Sequence, residues 1–337
     1  MKALILEGPG RGRVGEAPRP VPRADEVVVR VRSTGICGTD VHAYCGEMPF
    51  FRYPGIPGHE NAGEVVEVGS GVAHVGVGDR VVVDPAVACG ECHVCRKGRW
   101  NCCPRVQCIG VHRPGSFAEY LLAPATNVYR LPDAIAMDMG ACAEPLSIGL
   151  QAVTRGRVGA GDWVAIVGAG TIGLCVLQMA RAKGARVAVS DSIPMRLHLA
   201  RELGAELAVD IGRDDYGGAL ADWTDGRGPD VVIEAVGTAA TVRHAFDLAA
   251  PSGRVVILGI VSGDVAIPGD LLVRKELDVF GSRMNARLFP EVLRLIESGA
   301  VDPRPLVTHT FGLDDAVSAL ELARARPDEA IKILLKP

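Results

Sequence analysis

The stretch Trp163-Val-Ala-Ile-Val-Gly-Ala-Gly-Thr-Ile-Gly173 joins a short apolar run to three glycines spaced as G-x-G-x-x-G. An apolar run of this length is typical of a buried strand, and the residues that follow, 174–183, have helical spacing. The next predicted strand, 186–190, leads directly into Asp191, which lies 21 residues after Gly170. This order of strand, glycine turn, helix, strand and acid is the context that a dinucleotide-binding site requires.

Each part of this pattern has a chemical reason. The glycines let a pyrophosphate approach the helix N-terminus, where free N–H groups and the helix dipole favour an anion. Asp191 would bind the adenosine ribose hydroxyls and repel a 2′-phosphate, although Arg196, one helical turn further, would reduce that preference. The alternative is a tight strand-to-helix turn with a solvated aspartate. We predict NAD as the cofactor, bound by Gly168, Gly170, Thr171, Ile172, Gly173, Asp191, Arg196 and Leu258.

Two kinds of pattern divide the chain. Around and after the glycine turn, strands alternate with helices, which predicts an α/β, doubly wound parallel sheet. Its further strands are predicted at 207–209, 231–234, 254–258 and 277–280, with a helix at 194–203. Before it, short alternating strands separated by Gly and Pro predict a β-rich unit that ends near residue 150. Those strands are predicted at 2–6, 26–31, 63–68, 79–83 and 115–122, followed by a helix at 138–153.

The last fifty residues return to helix, loop and strand. Helical spacing is found at 289–297 and 313–324, and residues 331–335 read as a terminal strand. We expect this strand to rejoin the first unit.

Length and composition limit the classes of function. A chain of 337 residues is too long for one core of ordinary size, and 48% hydrophobic with 23% charged residues excludes disorder. A net charge of −4 without a polybasic block gives no surface for nucleic acid or an anionic membrane, so we expect a small-molecule partner. The first turn follows only four apolar residues, too few for a signal peptide, and glycines break the longest uncharged run, 163–180. We therefore expect a cytoplasmic protein that does not enter a membrane.

A second stretch, Gly35-Ile-Cys-Gly-Thr-Asp-Val-His42, packs a thiol, a hydroxyl, a carboxylate and an imidazole into eight residues. Asp40 could accept the second N–H of a metal-binding imidazole, and Thr39 and His42 can carry a proton. The alternative is a polar turn that closes a strand. With the imidazole and carboxylate that follow roughly twenty residues on, the candidate zinc ligands are Cys37, His59 and Glu60.

Ten cysteines in a chain expected to lie in a reducing compartment favour metal binding over disulfides. The polar lobe 86–106 has too few apolar residues to fold alone, and four thiolates around one structural zinc ion would organise it. Free thiols or a redox relay are the alternatives. Because Cys102 is next to Cys103, either of the two could be the fourth ligand. The predicted ligands, spaced C-x2-C-x2-C-x7-C, are Cys89, Cys92, Cys95 and Cys103. The cysteines predicted to be buried small hydrophobic residues are Cys45, Cys108, Cys142 and Cys175.

Together these motifs resemble the zinc-dependent medium-chain alcohol dehydrogenases over nearly the whole chain. They are the stretch 35–42, Gly58-His-Glu60, the four-cysteine lobe and the glycine turn 168–173, in the order of that family. The resemblance implies a partly open, GroES-like β-barrel catalytic domain at 1–150, interrupted by a Rossmann domain at 151–285 and resumed at 286–337. It also implies two zinc ions per chain, one catalytic and one structural, and a homodimer or homotetramer.

The chain departs from the common pattern of the family at Glu144, which stands in Ala143-Glu-Pro-Leu-Ser147 where many alcohol dehydrogenases carry a second cysteine ligand. It is similar there to the polyol branch: sorbitol, L-threonine 3- and sugar-acid 5-dehydrogenases. In that branch the residue matching Glu60 is an inner zinc ligand, and the one matching Glu144 lies at the metal or one water away. An arginine resembling Arg283 lies near the substrate, although an ion pair with a carboxylate such as Glu144 is the alternative.

One further departure bears on the cofactor, and two further stretches bear on the substrate. Gly38 stands where some relatives place a basic residue on the pyrophosphate, so the helix N-terminus must carry more of that contact. The stretches 281–286 and 306–311 are most similar to L-galactonate and L-idonate 5-dehydrogenases. These two stretches suggest a sugar acid as substrate.

The resemblance implies oxidation of a secondary alcohol of a polyol or sugar acid, with hydride transfer to NAD. Zinc would act as a Lewis acid, Thr39 would take the hydroxyl proton and His42 would release it to solvent. An L-threonine 3-dehydrogenase-like or general secondary alcohol dehydrogenase, a zinc-free reductase and a non-catalytic nucleotide-binding protein are the alternatives. A content of two zinc ions per chain favours the zinc-dependent dehydrogenase, and a content of one favours the non-catalytic nucleotide-binding protein. The predicted catalytic residues are Thr39, His42, Glu144 and Arg283.

Overall fold

The computed structural model describes the whole chain, Met1–Pro337, and divides it into two compact units. The first unit comprises Met1–Glu144, Ala286–Gly299 and Leu306–Pro337, and the second Pro145–Asn285 and Ala300–Pro305. The strands, in chain order, are β1 (Lys2–Gly8), β2 (Arg11–Glu16), β3 (Glu26–Ile36), β4 (Glu60–Val68), β5 (Arg80–Val83), β6 (Ala86–Val87), β7 (Gln107–Cys108), β8 (Tyr120–Pro124), β9 (Val128–Arg130), β10 (Trp163–Val167), β11 (Arg186–Asp191), β12 (Leu207–Asp210), β13 (Val231–Glu234), β14 (Arg254–Ile257), β15 (Asp278–Gly281), β16 (Val307–Gly312) and β17 (Lys332–Lys336).

Eleven α-helices accompany these strands, and none of them is both long and apolar enough to cross a lipid bilayer. In chain order they are α1 (Gly38–Cys45), α2 (His93–Arg96), α3 (Met137–Ala141), α4 (Ala143–Arg155), α5 (Thr171–Ala182), α6 (Pro194–Glu202), α7 (Tyr216–Trp223), α8 (Ala239–Leu248), α9 (Gly269–Lys275), α10 (Phe289–Glu297) and α11 (Ala316–Ala325).

The second unit is built on one parallel sheet with the strand order β12-β11-β10-β13-β14-β15. Its central strands are nearly continuous apolar runs because both faces of the sheet are covered. Numbered within the sheet, the order is 3-2-1-4-5-6, and the chain changes direction across the sheet between β10 and β13. Ligands bind at such a switch point, beyond the carboxyl ends of the strands. The predicted Rossmann-type sheet is confirmed.

The first unit contains a seven-stranded, mainly antiparallel sheet. Its longest strand, β3, pairs with β4, β8 and β17, so it holds together segments from both ends of the chain. The terminal strand pairs with β3 through Ile333 opposite Ile36, as we expected from the sequence. This pairing places the start of β17 beside the end of β3.

Two predicted elements differ from the structure. The helix expected at 138–153 is divided into α3 and α4. Pro145, in the first turn of α4, has no backbone N–H to donate to the preceding turn, and its ring would clash with a carbonyl there. The strand expected at 115–122 begins only at Tyr120. The N–H groups of Gly115, Ser116 and Phe117 instead donate to carbonyls of residues 56–58, so this segment joins a loop rather than a strand.

Other elements were absent from the sequence-based description. They include α1, where a turn was the alternative, and α7, α8, α9, β2 and β16. Several of these contain glycine or charged residues that obscure the periodicity, as in the Gly217-Gly218 pair of α7. Asp215 caps that helix by accepting the N–H groups of both glycines, at 3.0 Å each, and so offsets their low helix propensity.

Candidate functional site

The register of two neighbouring strands brings Cys37, His59 and Glu60 together. β3 ends one residue before Cys37, and β4 begins at Glu60, directly after His59. The strands run antiparallel with Gly35 opposite Glu60, so the end of one lies beside the start of the other. The three ligand atoms all lie within 4.8 Å of one another. The fold therefore assembles the predicted sulfur, nitrogen and oxygen set, called the triplet below.

The buried polar atoms of the triplet fit a metal ion. Glu60 is 1% exposed and its Oε2 has no hydrogen-bond partner, as is also true of Nδ1 of His59. A buried polar atom without a partner costs about 1–3 kcal/mol, and a bound cation would remove that cost for the Glu60 oxygen. Gly35 provides the space, since a Cβ atom there would lie 1.9 Å from Oε2. One thiolate, one imidazole and one carboxylate are a donor set suited to zinc.

Asp40 ties together the two segments that carry the triplet. Its fully buried carboxylate accepts the N–H of Cys37 at 2.9 Å and the N–H of Gly58 at 3.0 Å. Nδ1 of His59 lies 3.6 Å from the same carboxylate, too far for a hydrogen bond, and Nε2 is left for a metal. Burial lowers the pKa of the His59 imidazole, but the charges of Asp40 and Cys37 raise it well above its ordinary value. The same charges favour a bound cation.

Helix α1 carries the predicted proton carriers away from its buried face. Asp40 and Tyr44 are buried, whereas His42 is exposed and Thr39 is half-buried. Residues three apart lie on the same side of a helix, so Thr39 and His42 are neighbours. Nδ1 of His42 also lies 2.7 Å from Oε2 of Glu47, a contact that sequence reasoning missed.

Glu144 lies in the first turn of α4 and is 7% exposed. Burial is the main reason why its pKa rises to about 8, and the charges of His59, Glu60, Lys332 and Asp84 also act on it. Glu144 is thus within electrostatic reach of the triplet, but it is not one of the residues whose ligand atoms lie within 4.8 Å of one another. Its catalytic role stays a prediction.

Sequence reasoning also missed Lys332, which holds the carboxylate of Glu60. Its Nζ donates to Oε1 of Glu60 at 2.6 Å and to the carbonyl of Ile36 at 2.9 Å, and the lysine is 2% exposed. Burial lowers the pKa of Lys332, but the charges of Glu60 and Cys37 raise it above its ordinary value, so the ammonium stays charged. One oxygen of Glu60 is occupied by this ion pair and the other remains for a metal. The only signal in the sequence is a lysine that begins an apolar strand.

The four predicted cysteines of the lobe converge on one point. Adjacent sulfur atoms are 3.4 Å apart for Cys92–Cys95 and Cys103–Cys89, and 3.9 Å apart for Cys89–Cys95 and Cys92–Cys103. Four sulfurs at the usual zinc–sulfur distance of about 2.3 Å on a tetrahedron would be about 3.8 Å apart, so the cluster fits a structural zinc ion. Cys103, rather than its neighbour Cys102, belongs to the cluster.

All ten cysteines are free thiols. Cys142 and Cys175 are buried as predicted, whereas Cys45 and Cys108 are only partly buried. The prediction failed for these two because Cys45 ends the short helix α1 at an exposed glycine turn, and Cys108 lies in the two-residue strand β7.

The glycine turn after β10 is shaped for close approach. Gly168 has a φ angle of +99°, and a Cβ atom on Gly173 would lie 1.9 Å from the Gly168 carbonyl oxygen, so both positions require glycine. The space next to Gly170 is open, since the nearest atom to a Cβ placed there is 3.9 Å away. Helix α5 begins directly after it, so the N–H groups of Thr171 and Ile172 lie where an anion is favoured.

Asp191 lies at the carboxyl end of β11, and the backbone positions its carboxylate. Oδ2 accepts the N–H of Ala169 at 2.8 Å, and Oδ1 accepts the N–H of Ile193 at 3.0 Å. Nη1 of Arg196 lies 3.5 Å from Oδ2 and offsets part of the negative charge. The structure therefore places Asp191 beside the glycine turn, where the sequence predicted a ribose contact.

Leu258 and Arg283 also lie at the carboxyl ends of strands in the second unit. Leu258 follows β14 and donates its N–H to the carbonyl of Glu234 at 3.0 Å. Arg283 follows β15 and is exposed. The contact of Leu258 with the cofactor and that of Arg283 with the substrate remain predictions.

Two protein-family models match the chain. The alcohol dehydrogenase GroES-like domain matches residues 23–133, and the zinc-binding dehydrogenase family matches residues 171–298. Together they cover more than half of the chain. The first match lies in the unit that carries the triplet and the four cysteines, and the second begins at helix α5.

Similar proteins match over nearly their full length. L-galactonate-5-dehydrogenase of Escherichia coli K12 is 36% identical over 314 residues, which cover 92% of each chain. The structure of the short chain alcohol dehydrogenase RspB of E. coli CFT073, complexed with NADH, has a TM-score of 0.95 at 35% identity, covering 100% of this chain and 99% of that one. A zinc-binding dehydrogenase of Sinorhizobium meliloti 1021, bound to NADP, has a TM-score of 0.94 at 37% identity with the same coverage.

The two metal sites should respond differently to loss of one thiol. We expect Cys37→Ala to remove one of two zinc ions per chain and to change the Tm by less than about 4 °C, because the triplet is built on strands that pair without it. Cys92→Ala should remove the other zinc ion and lower the Tm more, because the lobe has few apolar residues and only single helical turns. Elemental analysis and thermal unfolding measure both effects, with Cys102→Ser as the control that keeps both ions. Identical behaviour of the Cys37 and Cys92 variants would refute the division into two kinds of site.

Lys332→Met should destabilise the fold because it leaves Oε1 of Glu60 buried without the ammonium that donates to it. We expect a loss of about 3–5 kcal/mol in the free energy of unfolding, measured by urea titration. The matched control is Lys336→Met on the same strand, whose partner Asp138 is 36% exposed, so the expected loss there is below about 1 kcal/mol. Equal losses would mean that burial of the Lys332 pair has no special importance.

The chain should prefer NAD to NADP because Asp191 would repel a 2′-phosphate. Since Arg196 offsets part of that charge, we expect a ratio of kcat/KM values of about ten to a hundred rather than more. Asp191→Ala should reduce the ratio and Arg196→Met should raise it, as steady-state kinetics with both cofactors can measure. Comparable efficiency with NAD and NADP in the wild type contradicts this prediction.

Proposed function

This chain belongs to the zinc-binding alcohol dehydrogenase family, and we propose that it oxidises a secondary alcohol of a polyol or a sugar acid to the ketone. Members of the family are oxidoreductases that use zinc and a nicotinamide dinucleotide. Bound zinc supplies a Lewis acid that lowers the pKa of a substrate hydroxyl, and bound NAD supplies the hydride acceptor. The triplet would hold the catalytic zinc, the four cysteines the structural zinc, and the glycine turn with Asp191 the dinucleotide.

Residues of α1 handle the proton in this proposal. Thr39 is half-buried and accepts the proton that leaves the substrate hydroxyl. His42, three residues further on the same side of the helix, receives the proton and releases it to solvent, to which its side chain is 59% exposed. Asp40, between them in sequence, makes no proton transfer and keeps the segments that carry the triplet in place.

The observation that carries the choice of substrate is the buried carboxyl group of Glu144 within electrostatic reach of the triplet. A simple apolar alcohol would bring only methylene groups into these polar surroundings and would make no hydrogen bonds there. A chain that carries further hydroxyl groups beside the reacting carbon can donate and accept hydrogen bonds there. The charged surroundings thus favour a polyol or an aldonate.

Arg283 and the named relative narrow the proposal towards sugar acids. An exposed guanidinium can bind a carboxylate with two parallel hydrogen bonds, which a neutral polyol cannot reproduce. One of several relatives that are about 36% identical is an L-galactonate-5-dehydrogenase, whose substrate is a sugar acid, while others are L-threonine 3-dehydrogenases. We assign Arg283 to recognition of the substrate carboxylate, with a structural ion pair as the alternative.

A panel of L-galactonate, L-idonate, sorbitol, L-threonine and 2-butanol with NAD tests the proposal. We expect the highest kcat/KM with one of the two sugar acids, and higher values for sorbitol than for 2-butanol. Arg283→Ala should raise KM for the sugar acids more than for sorbitol, because only they carry the carboxylate. Arg274→Ala removes an exposed arginine paired with Asp270 and is the control expected to change no KM.

Two results would contradict the assignment. If 2-butanol were the best substrate, the polar surroundings of Glu144 would not select the substrate. If Arg283→Ala left the KM of every polar substrate unchanged, recognition by that guanidinium would be wrong. A clear preference for L-threonine would favour the L-threonine 3-dehydrogenase-like alternative.

A further inference from the structure

The pair formed by His42 and Glu47 lies outside the groups that bind metal or nucleotide. Nδ1 of His42 is 2.7 Å from Oε2 of Glu47, and the side chains are 59% and 62% exposed. An ion pair exposed to this degree adds little to stability, about 0–1 kcal/mol. The contact therefore contributes little to the stability of the fold.

The backbone at the end of α1 places Glu47 against His42. Gly46 is in the left-handed conformation with a φ angle of +83°, and it turns the chain back over the last turn of the helix. The N–H of Glu47 donates to the carbonyl of His42 at 2.8 Å, and the N–H of Gly46 donates to the carbonyl of Ala43 at 3.2 Å. A Cβ atom on Gly46 would lie 2.7 Å from Cγ of Pro9, so this turn is specific to glycine. The two side chains thus start from fixed positions.

The contact decides which ring nitrogen of His42 carries the proton. A carboxylate can only accept a hydrogen bond, so Nδ1 must be the donor when it faces Glu47. In the neutral ring Nε2 then has the lone pair, which is the form that can take a proton from another group.

We propose that Glu47 is a positioning residue that holds His42 in its Nδ1–H tautomer and so keeps Nε2 ready to accept the substrate proton. This inference rests on the proposed function, which assigns the proton release to His42. The O–H bond of the substrate breaks, the proton passes by way of Thr39 to Nε2 of His42, and water then takes it from Nε2. Glu47 remains a carboxylate throughout, and the neutral Nδ1–H tautomer is restored after each turnover.

Histidine ring ¹⁵N NMR tests the tautomer without reference to activity. At a pH where the exposed histidines are neutral, with the His42 signals assigned from a His42→Gln sample, we expect the Nδ1–H form in the wild type. Glu47→Ala should shift His42 towards the Nε2–H form. Glu47→Gln retains an acceptor oxygen but loses the charge, so an intermediate result is expected. The control is Glu67→Ala, which removes a carboxylate that pairs with Arg19 and has a side chain 39% exposed.

Turnover provides the second readout. Glu47→Ala should lower kcat by roughly three- to tenfold, less than the loss expected from removal of a full acid–base group, and should leave KM for NAD unchanged. Added imidazole buffer should restore kcat in Glu47→Ala, because an external base can take the proton that His42 no longer accepts. Glu67→Ala should show neither the loss nor the rescue.

The outcomes separate this inference from the function on which it rests. A wild-type tautomer in Glu47→Ala, or a loss of kcat that buffer does not restore, overturns the role of Glu47. If His42→Gln turned over as fast as the wild type, the assignment of His42 itself would be wrong. If His42→Gln were impaired while Glu47→Ala were normal in both readouts, only the inference about Glu47 would fail.

Discussion

The pairing of β3 with β4 on one side and β17 on the other is the constraint on which the metal site depends. It sets Gly35 opposite Glu60 and Ile36 opposite Ile333, so Lys332 lies next to the carboxylate that it neutralises. A shift of register by one residue would turn Glu60 to the other face of the sheet and separate the two buried charges. Because an unpaired buried charge is costly, the ion pair and the register support one another.

The two predicted zinc sites relate to the fold in opposite ways. The ligands of the triplet come from segments that the pairing of the sheet already holds in place, and the unpaired Oε2 of Glu60 is positioned there to bind a cation. The four cysteines lie between residues 89 and 103, in a segment whose regular structure is limited to single helical turns. A metal ion there takes the place of a hydrophobic core. Zinc would thus serve catalysis in the triplet and folding in the four-cysteine lobe.

The fold accommodates the buried ionisable groups around the triplet in several ways. Asp40 is held by backbone N–H groups, Lys332 neutralises Glu60, and the high pKa of Glu144 follows from its burial. Removing water from such groups is tolerable only when other polar partners replace it. In the proposed function, this requirement favours a hydroxyl-rich substrate over an apolar one. His42 differs from these groups because its side chain is exposed, as the proposed release of a proton to solvent requires.

Motifs whose geometry depends on a few consecutive residues could be predicted from the sequence. The glycine turn before α5, the acid at the end of β11 and the four-cysteine spacing belong to this class, and so does the alternation of strands and helices. The division of the helix near Pro145 was missed although the proline itself signals it, whereas the late start of β8 was missed because carbonyls of residues 56–58, outside that segment, accept its N–H groups. Lys332 and Glu60 are 272 residues apart, and only the closing of the sheet by β17 makes them neighbours. Local sequence thus determined which groups are available for chemistry, whereas the tertiary structure decided which of them meet, since burial and pairing of charges depend on contacts that no short window of sequence contains.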